Sequence, residues 1–246
     1  MIGTALVTGA SRGLGAVIAK RLAVEGHAVA VAYRSGTEAA RGVVADIRSA
    51  GGTAEAFSAD VTDESAVAEL TASVSSRLGP VGILVVNATG PQPELDLEAV
   101  TWDDHLAQLA FFVKSPTLLM QAVVPTMREH GEGRIVQIGS DVLERTLPHM
   151  SAYTAAKAAQ HSLTRCWARA LGPFGITVNT VAPGWIPVER HAGADPESLA
   201  AYTSDVPLGR MGRPEDVAEA VAFLASPRAA FVTGERIKIN GGHTLG

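Results

Sequence analysis

The sequence predicts an α/β architecture, a parallel sheet of about seven strands with helices packed on both faces, and three observations carry that expectation. Short runs rich in Val, Ile and Ala alternate with longer segments of helical spacing along all 246 residues. The short runs are apolar on both faces, as strands covered from both sides must be. The first of them, residues 4–8 (TALVT), runs straight into a glycine-rich junction, one part of a total of 25 glycines that follow no repeat period.

Each element follows in order. Apolar residues at Leu14, Val17, Ile18 and Leu22 give residues 14–24 the spacing of a helix. Residues 28–33 (AVAVAY) are the second strand. A helix over 38–50 ends at Gly51-Gly52, because glycine readily takes the left-handed conformation that closes a helix. Residues 53–58 form a weaker strand. The helix over 63–78 carries acids in its first turn, where they complement the dipole, and Gly79-Pro80 stops it. Residues 81–86 (VGILVV) are a strand, 102–130 one long helix, 134–138 a strand, 152–171 a helix and 175–181 a strand. A helix over 214–225 and a strand over 236–239 complete the series. From 183 to 214 the periodicity fades and Gly and Pro increase. That segment is either a lid, near 185–213, or a plain surface insertion. No repeat and no Pro/Ser linker interrupts the chain, so one domain over 1–246 is expected.

Composition excludes several classes of function. Hydrophobic residues make up 47% and charged residues 18%, enough to build a core and too little charge for a disordered chain. A net charge of −5 without a basic block argues against nucleic acid as a partner. No charge-free apolar run reaches the ~18 residues that span a bilayer, and the start shows no signal-peptide pattern, so no membrane association is expected. One cysteine, Cys166, excludes an internal disulfide and fits a reducing cytoplasm. His105, His149 and His191 match no metal-ligand spacing, and no metal site is expected.

The first junction reads Thr8-Gly9-Ala10-Ser11-Arg12-Gly13-Leu14-Gly15. Gly9 allows a tight turn, Gly13 lets backbone approach a diphosphate, and Gly15 permits close helix packing. The helix start that follows offers unpaired N–H groups and a positive dipole end to an anion. The second strand ends Tyr33-Arg34-Ser35, with no acid there to hold a ribose hydroxyl. Arg34 and Arg12 instead suit a 2′-phosphate by charge and fork geometry, which favours NADP(H) over NAD(H). Farther on, Tyr153 and Lys157 lie four apart and so share one face of a helix. An ammonium beside a phenol stabilises its anion, making the tyrosine a better proton donor and acceptor near neutral pH. The chain has only four lysines.

The G-x-x-x-G-x-G spacing, together with Tyr153-x-x-x-Lys157, resembles the short-chain dehydrogenase/reductase family, in its branch of 3-oxoacyl-[acyl-carrier-protein] reductase-like proteins. Asp60-Val61, Asn87-Ala88, Ser140, Asn179, Pro183-Gly184, residues 207–210, residues 213–217 and Asn240-Gly241-Gly242 extend the match over nearly the whole chain. The resemblance implies a Rossmann-type doubly wound sheet. It implies Ser140, Tyr153 and Lys157 as the catalytic set, with Lys157 also holding the nicotinamide ribose. It further implies cofactor contacts at Gly9, Ser11, Arg12, Gly13, Leu14, Gly15, Arg34, Ser35, Asp60, Val61, Asn87, Ala88, Thr89, Tyr153, Lys157, Pro183, Gly184 and Ile186. A homo-oligomer, tetramer or dimer, built on residues 102–130, 152–171 and the C-terminal segment is implied as well.

The chain departs from the pattern at four places. The family places an asparagine in the helix after the fourth strand. Here Asn87, Asn179 and Asn240 are the only asparagines and none lies in that helix. Anchoring the comparison on residues 122–125 puts Phe112 at the asparagine position, whereas anchoring on Trp102 puts Leu109 there. Pro116 in the same helix is expected to kink it and free a carbonyl. Thr89 replaces a glycine, and Val188 stands where a threonine is expected. Phe174 occupies the place of an arginine that carrier-binding members use, so acyl carrier protein is a doubtful partner. Trp185 either walls the substrate pocket or packs the lid. Glu144, Arg145, Glu189 and Arg190 either meet a polar substrate or remain solvated. The leading expectation is an NADPH-dependent reductase of a ketone or 3-oxoacyl carbonyl. The alternatives are the same site run as an NAD(P)+-dependent secondary-alcohol dehydrogenase, or a nucleotide-binding regulator with little turnover.

Overall fold

The computed structural model describes residues 3–245, except for the side chain of Arg190. Seven strands, β1 (Thr4–Thr8), β2 (Val29–Tyr33), β3 (Ala54–Ser58), β4 (Val81–Val86), β5 (Gly133–Ile138), β6 (Ile176–Pro183) and β7 (Arg236–Ile239), form one sheet. Its order is β3-β2-β1-β4-β5-β6-β7, and every pairing is parallel. The order reverses direction between β1 and β4, the topological switch point where such sheets open a ligand crevice at the carboxyl ends of their strands.

Helices α1 (Gly13–Val24), α2 (Thr37–Ser49) and α3 (Glu64–Leu78) follow the first three strands. The run after β4 is α4 (Trp102–Leu109), a π turn (Ala110–Lys114) and α5 (Ser115–His130). The short α6 (Val142–Arg145), the long α7 (Ser151–Leu171), α8 (Pro196–Asp205) and α9 (Pro214–Ala225) complete the set. One face of the sheet packs on Ile18, Leu22 and Ile47 with Val217, Val221 and Leu224 of α9. The other packs on Val67, Leu70 and Val74 with Leu119, Val123 and Met127. The inner strands β1, β5 and β6 are buried throughout, in agreement with their two-faced apolar sequence. The edge strand β7 is half-buried, because only one neighbour shields it.

Three differences from the sequence reading have physical causes. The predicted helix over 102–130 is broken by the π turn, in which Ser115 N donates to the Ala110 carbonyl instead of the usual fourth residue back. Pro116 follows at once and has no N–H to offer; the Val113 carbonyl is taken by the Thr117 hydroxyl at 2.7 Å. An 18-residue window of this 29-residue run has mean hydropathy 1.3, enough by length and composition to cross a membrane, yet Leu119, Val123 and Met127 bury its inner face in the core. Within 183–214 the structure forms α8, which weak periodicity concealed; its start is capped by Asp195, accepting from Ser198 N at 2.9 Å. Finally, β6 runs two residues beyond its predicted end, to Pro183.

Candidate active site

The loops that follow β1 to β6 lie at the carboxyl edge of the sheet, and they and α7 carry the predicted residues. After β1, Gly9 and Gly13 have φ of +63° and +55°, conformations that favour glycine. Gly15 has another constraint: a Cβ there would strike the Gly9 carbonyl and lie 2.5 Å from Asn87 Nδ2. Gly15→Ala is therefore expected to cost ~1–3 kcal/mol by overpacking. A thermal melt superimposable on wild type would contradict this.

Asn87 braces the junction. Its side chain donates to the Thr8 and Gly9 carbonyls at 2.9 and 3.1 Å, while the Asn87 and Ala88 N–H groups donate to Thr8 Oγ1 at 3.0 and 3.1 Å. Its side chain is thus committed to the loop. Ile186, predicted at the cofactor, turns its side chain into the core against Gly212. Val61 is likewise a core residue. Ser11 lies near Gly36, which caps α2 at φ +85° beside the exposed Arg34 and Ser35. Arg12 is exposed, with Leu14 half-buried. Arg34 Nη1 stands 3.6 Å from Asp60, whose carboxyl is held below its ordinary pKa chiefly by hydrogen bonds from the Thr62 hydroxyl and N–H. Asp60 therefore braces Arg34 as well as facing the crevice.

Ser140, at the end of β5, accepts a hydrogen bond from Val142 N at 3.1 Å. This leaves its hydroxyl proton to be donated. The serine is held from behind. Arg236 of β7 donates to the Ser140 carbonyl and pairs with Glu144, whose carboxyl is kept below its ordinary range by that guanidinium despite partial burial. Glu144 is thus an internal brace rather than a solvated charge. Asp141 next door is almost fully buried. Burial pushes its carboxyl up, while Asn240 Nδ2 at 3.3 Å and His243 at 3.6 Å oppose the rise.

Tyr153 and Lys157 emerge from one face of α7. Tyr153 is half-buried and meets Phe112 edge-on, ring centroids 5.4 Å apart. The Lys157 ammonium lies 3.8 Å from the centre of the same ring and donates to the Ile138 carbonyl at 2.7 Å and Gln160 Oε1 at 3.0 Å. Of the two placements considered for the missing asparagine, the structure selects Phe112, the middle residue of the π turn, over Leu109. A shallow cleft beside Tyr153 is lined by Pro93, Leu95, Val100, Gln108 and His149. Upstream of it, a Cβ on Gly90 would collide with the Phe111 ring, and the Thr89 hydroxyl accepts from Gln92 Nε2 at 3.0 Å.

Residues 185–213 follow β6. Trp185 packs edge-on against Tyr202 of α8 at 5.5 Å, and the Trp185 backbone N–H donates to the Tyr202 hydroxyl at 2.8 Å. His191 accepts from Val188 N, His149 pairs with Asp96 at 3.2 Å, and His105 stacks on Trp102. No group of three metal-ligating side chains gathers among the described residues. Arg145, read as a loop charge, lies 5.1 Å from the Tyr202 ring centre. Val188 packs close to Gly13, and Gly13 N donates to the Glu189 carboxylate at 3.4 Å. Gln160, Arg236, Asp141 and Tyr202 were missed by sequence reading. Their partners lie on other elements or, for Gln160, one helical turn away on a face that reads as ordinary.

Fold and site together define an α/β protein with a glycine cradle for an anion and a Tyr/Lys pair beside it. A family profile described as Enoyl-(Acyl carrier protein) reductase matches residues 9–244. The chain is 37% identical over 244 residues to the 3-oxoacyl-[acyl-carrier-protein] reductase of Staphylococcus aureus, covering 98% of each. A dehydrogenase/reductase from Sinorhizobium meliloti superposes with TM-score 0.90 at 40% identity, over 99% of this chain and 95% of that one. A blue fluorescent protein from a metagenomic library, solved in complex with NADPH, gives 0.91 at 36% identity over 99% and 98%. The chain belongs to the short-chain dehydrogenase/reductase family of oxidoreductases.

Proposed function

We propose that this protein is a cytoplasmic, homo-oligomeric NADPH-dependent reductase that converts a ketone or 3-oxoacyl-type carbonyl to a secondary alcohol. The observation that carries the reading is the convergence of Tyr153 and Lys157 on one face of α7 with Ser140 at the carboxyl edge of the sheet. The glycine junction fits a dinucleotide diphosphate: a side-chain anion, Glu189, already stands at Gly13 N, the helix start expected to attract one. Gly9, Gly13 and Gly15 would form that cradle, with Arg34 and Arg12 toward the 2′-phosphate. Bound NADPH supplies the hydride. Tyr153 then gives its phenolic proton to the carbonyl oxygen, which Ser140 orients through its free hydroxyl proton. The Lys157 ammonium favours the phenolate left behind.

The segment over 185–213 serves as the substrate lid in this reading. Free small carbonyls are the expected substrates. Phe174 removes one arginine from the position carrier-binding members use, although Arg128 stacks over that ring at 4.3 Å and restores a cation nearby. The test is NADPH consumption by the purified protein on a carbonyl panel that pairs each carrier-bound thioester with its free form. No turnover on any member would favour a nucleotide-binding regulator, and a large preference for the carrier-bound form would reverse the substrate assignment.

Glu189 gives a second measurable consequence. A diphosphate approaching Gly13 must displace this carboxylate. Glu189→Gln is expected to tighten NADPH binding about two- to five-fold, the scale of ~0.3–1 kcal/mol for a charge at a helix start. Calorimetry showing equal or weaker binding would contradict it.

A further inference from the structure

We infer that Gln160 and Phe112 are positioning residues that hold the Lys157 ammonium at its working place beside Tyr153. The inference rests on the reductase reading above. Lys157 is only 5% exposed, so its charge has little water to solvate it and must be met by protein groups. Three neutral groups are among those that meet it: the Ile138 carbonyl, the Gln160 amide oxygen and the face of Phe112. The carbonyl is part of β5 and would be present whatever the side chains. Gln160 and Phe112 are choices of this sequence, and both are buried, at 1% and 2% exposure.

Each has a support that fixes its geometry. Gln160 sits on α7, three residues from the lysine, where side chains on one helix face meet. One turn farther, Thr164 ties α7 to the sheet, pairing with Thr180 Oγ1 at 2.8 Å and accepting from Gln137 Nε2 at 2.9 Å. The distance from the Gln160 amide to the end of β5 is therefore set by a buried polar network. Phe112 is presented by the π turn, and its ring touches Tyr153 by its edge and Lys157 by its face. A ring face attracts a cation, most strongly where water is excluded. Phenylalanine also carries no hydrogen-bonding group, so it holds the ammonium without offering it a proton acceptor. The pair thus sets the spacing between ammonium and phenol, the quantity on which stabilisation of the phenolate depends.

The test uses the full chain with NADPH and the best carbonyl from the panel. Gln160→Met keeps side-chain length and removes the acceptor. It is expected to lower kcat roughly ten-fold or more, the scale of a buried hydrogen bond to a charged group, with the KM for the carbonyl unchanged. Gln160→Glu restores an acceptor and is expected to recover at least part of the lost kcat, a rescue that a merely structural role would not produce. If Gln160→Met does not fold, Phe112→Leu carries the test with the same expected split. Wild-type kcat in whichever variant folds, or a loss appearing in KM alone, would overturn the inference. Tyr153→Phe is run alongside. If that variant keeps full rate, the reductase mechanism itself fails. If it is inactive while Gln160→Met and Phe112→Leu behave as wild type, only the positioning role fails.

Discussion

Tyr153→Phe is expected to reduce kcat for carbonyl reduction by about 10²–10⁴-fold, the usual contribution of a placed general acid. The substitution removes one oxygen and leaves the ring. The edge-on packing against Phe112 at 5.4 Å depends on the ring alone, so the melting temperature should stay near wild type. NADPH affinity should also persist, because the glycine junction and Arg34 lie on other loops. Steady-state rates and calorimetric binding, measured on the same preparation, separate the two effects. A variant that keeps more than about a tenth of the rate would exclude Tyr153 as the proton donor.

Arg34→Asp is expected to shift the preference between NADPH and NADH toward NADH by about 10–100-fold, as loss of a charge-assisted contact with a phosphate implies. The position is exposed at the end of β2, so the fold should tolerate the change. The new carboxylate would repel a 2′-phosphate and could accept from a ribose hydroxyl instead. Asp60 sharpens the expectation. At present it lies 3.6 Å from Arg34 and helps to orient it; with the guanidinium replaced by a carboxylate, it would add a second negative charge to the same corner. The ratio of kcat/KM for the two cofactors measures the shift, and an unchanged ratio would move phosphate recognition elsewhere.

Much of this arrangement was legible in the sequence because its causes are local. Glycines before Leu14 and the two-faced apolar runs reflect turn geometry and burial, which adjacent residues encode. The same holds for Tyr153 and Lys157, whose spacing alone places them on one helical face. Phe112 was ambiguous because two anchors on either side of the π turn disagree by three residues, more than the one extra residue of such a turn explains. Only the three-dimensional contact with Lys157 resolved them. Gln160 gave no signal, since a glutamine in a long helix is usually solvated. The spacing places Asn87 at the end of β4 but does not show that its side-chain amide donates to Thr8 and Gly9 across the strand gap, a partnership that parallel pairing of β1 and β4 creates. Helix α8 leaves no periodic signal because its packing rests largely on one residue, Tyr202.

The clamp of Arg236 on Ser140 has a consequence for the order in which the site is assembled. The two residues are 96 positions apart, and Arg236 belongs to the final strand. Until β7 has docked beside β6, the loop that carries the serine lacks its rear support, even when the glycine junction and α7 are already in place. The serine loop is thus tied to the β7 edge of the sheet, away from the glycine junction, through a contact that spans 96 positions. A change at the β7 edge can therefore disturb Ser140 while leaving the β1 junction untouched.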